Sequence, residues 1–75
     1  MELVTVESSM ISAVGYDATT QELEVVFNSG KTYRYTNVPQ TVYDDLLAAD
    51  SKGQYMQACV IGVYPDYQLT RRRRR

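Results

Sequence analysis

"ELEVVFNSGKTYRY", residues 22–35, decides the fold. Leu23, Val25 and Phe27 fall on one face of its first half, and Tyr33 and Tyr35 fall on one face of its second. Apolar residues at every other position mark half-buried strands, because successive side chains of a strand point to opposite faces. Between the halves lies "NSGK", residues 28–31, where Gly30 supplies the positive φ of a tight hairpin turn. The stretch is therefore read as an antiparallel hairpin.

Working outward, "MISAVGYD" (10–17) sets Met10, Ser12, Val14 and Tyr16 against Ile11 and Ala13 and runs into the polar turn "DATTQ". It predicts a third strand, and "LVTV" (3–6) either extends that strand or adds a short edge. At "NVPQTVYDDLLAAD" (37–50) the period changes. Val42, Leu46 and Ala49 recur at helical spacing, Tyr43 and Leu47 widen the stripe, and Pro39 suits a first helical turn. "SKGQYMQACVIGVY" (51–64) restarts with Ser51 and Gln54 at capping-box spacing, and Met56, Cys59, Val60 and Val63 form a second stripe that Pro65 ends. The expected fold is α+β: a three-stranded antiparallel meander followed by two α-helices packed on one sheet face. Its core is expected to unite Leu23, Val25, Phe27, Val42, Leu46 and Val60.

The chain has 75 residues, room for one domain, and 44% of them are apolar, enough to fold. One cysteine, Cys59, cannot form an internal disulfide, and the first residues lack the basic and apolar segments of a signal peptide. A cytoplasmic location is expected, with no membrane partner, since no stretch approaches the roughly 20 apolar residues of a membrane span.

Charge is segregated. Five of the eight basic residues are Arg71, Arg72, Arg73, Arg74 and Arg75, which leaves Lys31, Arg34 and Lys52 against nine acids in the body. The domain is expected to span 1–67 and a basic tail 68–75. Blocks of like charge commonly contact nucleic acid or anionic surfaces, although such a run also serves as a solvated terminus or folds back on an acidic body.

Catalytic chemistry is scarce. Without histidine, the commonest general acid–base and metal ligand is missing. Asp44 and Asp45 are neighbours on a helix, so they point about 100° apart and do not converge. Cys59 lies on the apolar stripe, where it reads as a small packed hydrophobe, and Ser8 and Ser9 read as turn residues. No catalytic residue, metal, cofactor or small-molecule substrate is expected. The seven tyrosines are the other conspicuous feature, because aromatic side chains among basic ones stack nucleobases. Alternation, however, sends Arg34 to the face opposite Tyr33 and Tyr35.

Taken in order, "SSMISAVGYD", "LEVVFNSGKTYRYTNVP", "VYDDLLAADSKGQY" and the final Tyr64–Pro65 resemble the KTSC domain. This small module is named for the C-terminus of some lysyl-tRNA synthetases and also occurs in free-standing proteins, some of them from phages. The resemblance covers roughly residues 6–67 and implies an accessory module that binds nucleic acid, RNA ahead of DNA. The expected contacts are Arg71 to Arg75 with Lys52, Arg34 and Tyr55. The chain departs from the family pattern at "MQACVIGVY" (56–64), which lacks the basic helix end, so Ala58, Ile61 and Val63 supply no phosphate contacts there. Ile61 projects away from the apolar stripe and, with Tyr55 and Ala58, offers the alternative: a protein contact through the second helix, with a homodimer or a host protein as partner.

Overall fold

The computed structural model describes residues 2–69. In chain order the elements are β1 (Leu3–Thr5), β2 (Ile11–Asp17), β3 (Glu22–Phe27), β4 (Thr32–Tyr35), α1 (Gln40–Ala48), α2 (Lys52–Cys59) and β5 (Asp66–Leu69). Among the described residues the sheet has five strands in the order β1-β2-β3-β4-β5, every neighbouring pair antiparallel. Three of them are the expected meander. β1 adds the short edge, and β5 is an additional strand that runs into the stretch expected to be tail from residue 68. Gln68 and Leu69 pair with Tyr33 and Thr32, so they belong to the sheet.

The hairpin at the centre closes through three residues, Asn28, Ser29 and Gly30. Phe27 N–H donates to the Lys31 carbonyl at 2.8 Å, and Gly30 N–H donates to the Phe27 carbonyl at 2.9 Å. Gly30 has φ +97°, the left-handed residue that a three-residue hairpin loop requires before the second strand resumes.

Residues directly opposite in an antiparallel pair share a face. Val14, Val25 and Tyr33 are aligned across three strands, as are Tyr16, Leu23, Tyr35 and Asp66 across four. This face meets the helices. The alternation read along 10–17 breaks at one point, because the register shifts between Ile11 and Ala13 and leaves Ser12 as an extra residue. A bulge of this kind resets the parity of a strand. Ile11 and Val14 consequently both face inward and both are fully buried.

The core joins Ile11, Val14, Leu23, Val25, Tyr35 and Val38 to Leu46 of α1, Met56 of α2 and Val60 just beyond it. Phe27 and Val42, expected in this core, are half-buried and pack against it. Tyr16 reaches across: its hydroxyl donates to the Val38 carbonyl, and its ring stacks on Tyr43 of α1 with centroids 5.3 Å apart. That pair locks β2 to the first helix.

Ser51 caps α2 by accepting from Gln54 N–H at 3.4 Å. Gly53, in the first turn of that helix, faces Met10 so closely that a Cβ there would sit 3.1 Å from its sulfur and 3.2 Å from its Cβ. Close approach therefore explains a glycine that helix propensity disfavours. The helix ends when Val60 and Ile61 N–H both donate to the Met56 carbonyl, at 3.0 and 2.7 Å, and Gly62 turns the chain at φ +81°. The predicted stripe is overturned at two positions. Cys59 is exposed, and Val63 is 57% exposed. Gly53, Met56 and Val60 define the inward direction, and at 100° per residue Cys59 lies roughly 90° away from it; Val63 follows the turn out of the helix.

Candidate nucleic-acid interface

The helices leave part of the inner sheet face bare. A cleft of about 520 Å³ opens there, floored by Phe27, Tyr33 and Tyr35 and rimmed by Ser9, Met10 and Ile61, with Asn28, Ser29 and Lys31 at the hairpin and Asp66 on β5. No residue of α1 or α2 lines it. Strand alternation puts the aromatic side chains there, since the positions that face the core in β3 and β4 continue past the edge of helix cover. Phe27 and Tyr33 meet edge to face, with ring centroids 5.8 Å apart and planes at 81°. Such pairs prefer this geometry, and it fixes two ring surfaces at a right angle.

Hydrogen bonds brace the hairpin side of the cleft. The Asn28 side-chain amide donates to the Ser8 carbonyl at 3.0 Å and accepts from the Ser12 hydroxyl, while Asn28 N–H donates to the Met10 carbonyl at 2.9 Å. Ser8 Oγ accepts from Met10 and Ile11 N–H at 3.1 and 3.3 Å. The serine pair thus acts in turn geometry, as expected, with Ser8 holding the backbone and Ser9 left on the rim.

Electrostatically the cleft has two unlike ends. Burial, then the Asp66 carboxylate, then Tyr33 push the Tyr35 hydroxyl up to about 12. It therefore stays a protonated donor at neutral pH. Among the described residues both ion pairs belong to Arg34, so neither Asp66 nor Lys31 is neutralised by one.

The expected site residues are scattered. Arg71 to Arg75 lie outside the described residues. Arg34 points to the outer face, where its guanidinium meets Glu24 at 2.8 Å and Glu22 at 3.7 Å. Its charged form is favoured by the hydrogen bond to Glu24 and, against a cost of burial, by Tyr67. Two carboxylates thus occupy the cation that was to meet phosphate. Lys52 donates to the Ala49 carbonyl at 2.9 Å and bridges the two helices. Tyr55 is half-buried on α2, its hydroxyl pushed upward by burial first and then by Asp45, Cys59 and Tyr64. Ala58 is exposed, and Ile61, 37% exposed, is the only member of the Tyr55, Ala58, Ile61 set that lines the cleft. The expected site residues did not include Phe27, Tyr33, Tyr35, Lys31 or Asp66. Lys31 was hidden in a turn motif, and Asp66 became visible only with β5.

A larger concavity of about 810 Å³ lies on the outer face, bordered by Leu3, Glu24, Val26, Thr32 and Leu69. It has no aromatic floor, and Lys31 stands on the rim of both. Among the described residues no group of three or more histidine, cysteine or acidic side chains converges to hold a metal, and no helix is long and apolar enough to cross a membrane.

The family model of the KTSC domain matches residues 7–64. The chain belongs to the KTSC domain family. A crystal structure of a KTSC domain protein from Yersinia pestis superposes with a TM-score of 0.90 at 29% identity, covering 92% of this chain and 97% of that one. A protein of Tsukamurella paurometabola is 51% identical over 55 residues, 73% of this chain and 82% of its own length. A lysine–tRNA ligase of Nostoc sp. is 43% identical over 68 residues, 91% of this chain and 12% of the ligase. The KTSC domain therefore occurs both alone and as a small part of a ligase.

Proposed function

We propose that this KTSC domain is a non-enzymatic accessory module that binds single-stranded RNA, taking an unstacked base into the cleft of Phe27, Tyr33 and Tyr35. The observation that carries the reading is this cleft: an aromatic floor, left open by both helices, with a lysine at one end. Proteins that bind single strands combine such stacking platforms with cations that follow the backbone. Similarity to part of a lysine–tRNA ligase supports the same class of partner, since that enzyme by its name acts on a tRNA.

β5 is antiparallel to β4, and Leu69 stands opposite Thr32, next to Lys31 and the hairpin end of the cleft. The arginine run follows in the sequence and would supply cations for the phosphates while the cleft takes the base. The body opposes long-range attraction, since its nine acids face three cations, so the complex is expected to be weak and salt-sensitive.

Fluorescence polarisation of a labelled single-stranded RNA tests this. Five arginines and Lys31 give six phosphate contacts at most, and at about 0.7 per contact on single strands the slope of log K against log salt is no steeper than about −4. A chain ending at Thr70 should lose most of that slope and keep weak, stacking-driven binding. Equal affinity of Tyr33→Ala and the unaltered chain would refute the cleft as the base site.

A further inference from the structure

The order of groups along the cleft follows from the strand register. Asp66 stands opposite Tyr35, Gln68 stands opposite Tyr33 one pleat further on, and Lys31 precedes β4 with its carbonyl held by Phe27 N–H. From the level of Asp66 to Lys31 is four residues, about 13 Å at ~3.3 Å per residue. The axis therefore reads carboxylate, aromatic rings, ammonium. A plain anion is repelled at the first end and a plain cation at the last. A ligand with unlike ends suits both: hydrogen-bond donors at one end, a flat ring between, a negative charge at the other. A nucleotide has this order in its base edge, its base and its phosphate.

The carboxylate then discriminates between bases. A carboxylate accepts hydrogen bonds and donates none, and its two oxygens suit a pair of adjacent donors. Guanine alone offers such a pair on its Watson–Crick edge, N1–H beside the N2 amino group. Adenine and cytosine place a ring nitrogen lone pair next to their amino group, and uracil flanks its one N–H with two carbonyls, so each would set an acceptor against the Asp66 oxygens.

We infer that the cleft selects guanosine within single-stranded RNA, with the base edge turned to Asp66, the ring against Tyr33 and Phe27, and the phosphate toward Lys31. The inference rests on the RNA reading above. Selection by such a contact is expected to be about tenfold or more against the other bases.

The test is an NMR titration of the full chain with GMP, IMP, AMP, CMP and UMP, and with single-stranded pentanucleotides UUGUU and UUAUU. GMP is expected to bind tightest, IMP between GMP and the rest because it keeps N1–H and lacks the amino group, and UUGUU ahead of UUAUU. Asp66→Asn, an isosteric change at an exposed residue, should level the bases while leaving their stacking on Tyr33. Equal affinity of all five mononucleotides, with shifts still at Tyr33 and Phe27, would overturn guanine selection and leave the cleft reading standing. Binding of GMP without discrimination between the pentanucleotides would overturn the assignment to RNA in favour of a free nucleotide. Absence of shifts at the cleft with every probe would overturn both readings.

Discussion

Gly53→Ala sets two known effects against each other, and the structure decides the sign. In a helix, alanine is favoured over glycine by about 0.8–1.0 kcal/mol, so propensity alone predicts a more stable protein. The new Cβ, however, would sit 3.1 Å from the Met10 sulfur and 3.2 Å from Met10 Cβ. The sulfur is the far part of a flexible side chain and is able to move; the Cβ is fixed to the backbone. That backbone is held on both sides, by Met10 N–H to Ser8 Oγ at 3.1 Å and by Asn28 N–H to the Met10 carbonyl at 2.9 Å. Overpacking of this kind costs about 1–3 kcal/mol. The expected net is a loss of roughly 1 kcal/mol, which for a domain of this size lowers Tm by about 4–8 °C. Thermal and urea unfolding followed by circular dichroism measure it. A rise in Tm would show that α2 does not rest on Met10 and would refute the packing.

Leu46→Ala removes the fully buried residue of α1 and should cost about 2–5 kcal/mol in urea unfolding, while Phe27→Ala, half-buried at the cleft, should cost less. Alkaline stability follows from Tyr35, whose hydroxyl titrates at about 12 when folded and near 10 when unfolded. The raised value stabilises the fold below about pH 10, and that contribution is lost as pH rises from 10 toward 12. Tyr35→Phe should flatten the decline in a pH series of urea midpoints. In sedimentation the chain should remain monomeric through the micromolar range; a dimer that Ile61→Arg returns to monomers would instead favour the protein-contact reading.

Hairpin, helices and part of the core were legible because each rests on a local period. Leu23 and Val25 alternate and are buried; Leu46, Met56 and Val60 repeat at helical spacing and are buried too. What sequence concealed depends on partners distant along the chain. β5 carries only Asp66, Tyr67, Gln68 and Leu69, too polar to announce a strand, and forms because β4 offers it a free edge. The bulge at Ser12 changes which of Ile11 and Val14 could face inward only once β3 is paired. Cys59 follows the helical period yet is exposed, because the inward direction of α2 is set by where Gly53 meets Met10. The cleft was half legible. Tyr33 and Phe27 were each placed on the apolar face of their strand, Phe27 as core, and Asp66 joins them only through the unforeseen fifth strand. Arg34 was read as a basic residue on the face away from the rings, which is correct, and the register adds the carboxylates of Glu22 and Glu24 that occupy it.

The central claim is that RNA enters the inner-face cleft, and chemical-shift mapping of the unaltered chain with a single-stranded RNA tests it without any substitution. The largest perturbations are expected at Ser9, Lys31, Tyr33, Ile61 and Asp66, with Glu24, Val26 and Arg34 on the outer face unmoved. Perturbations gathered on the outer face, or confined to Arg71–Arg75 with the cleft silent, would contradict it.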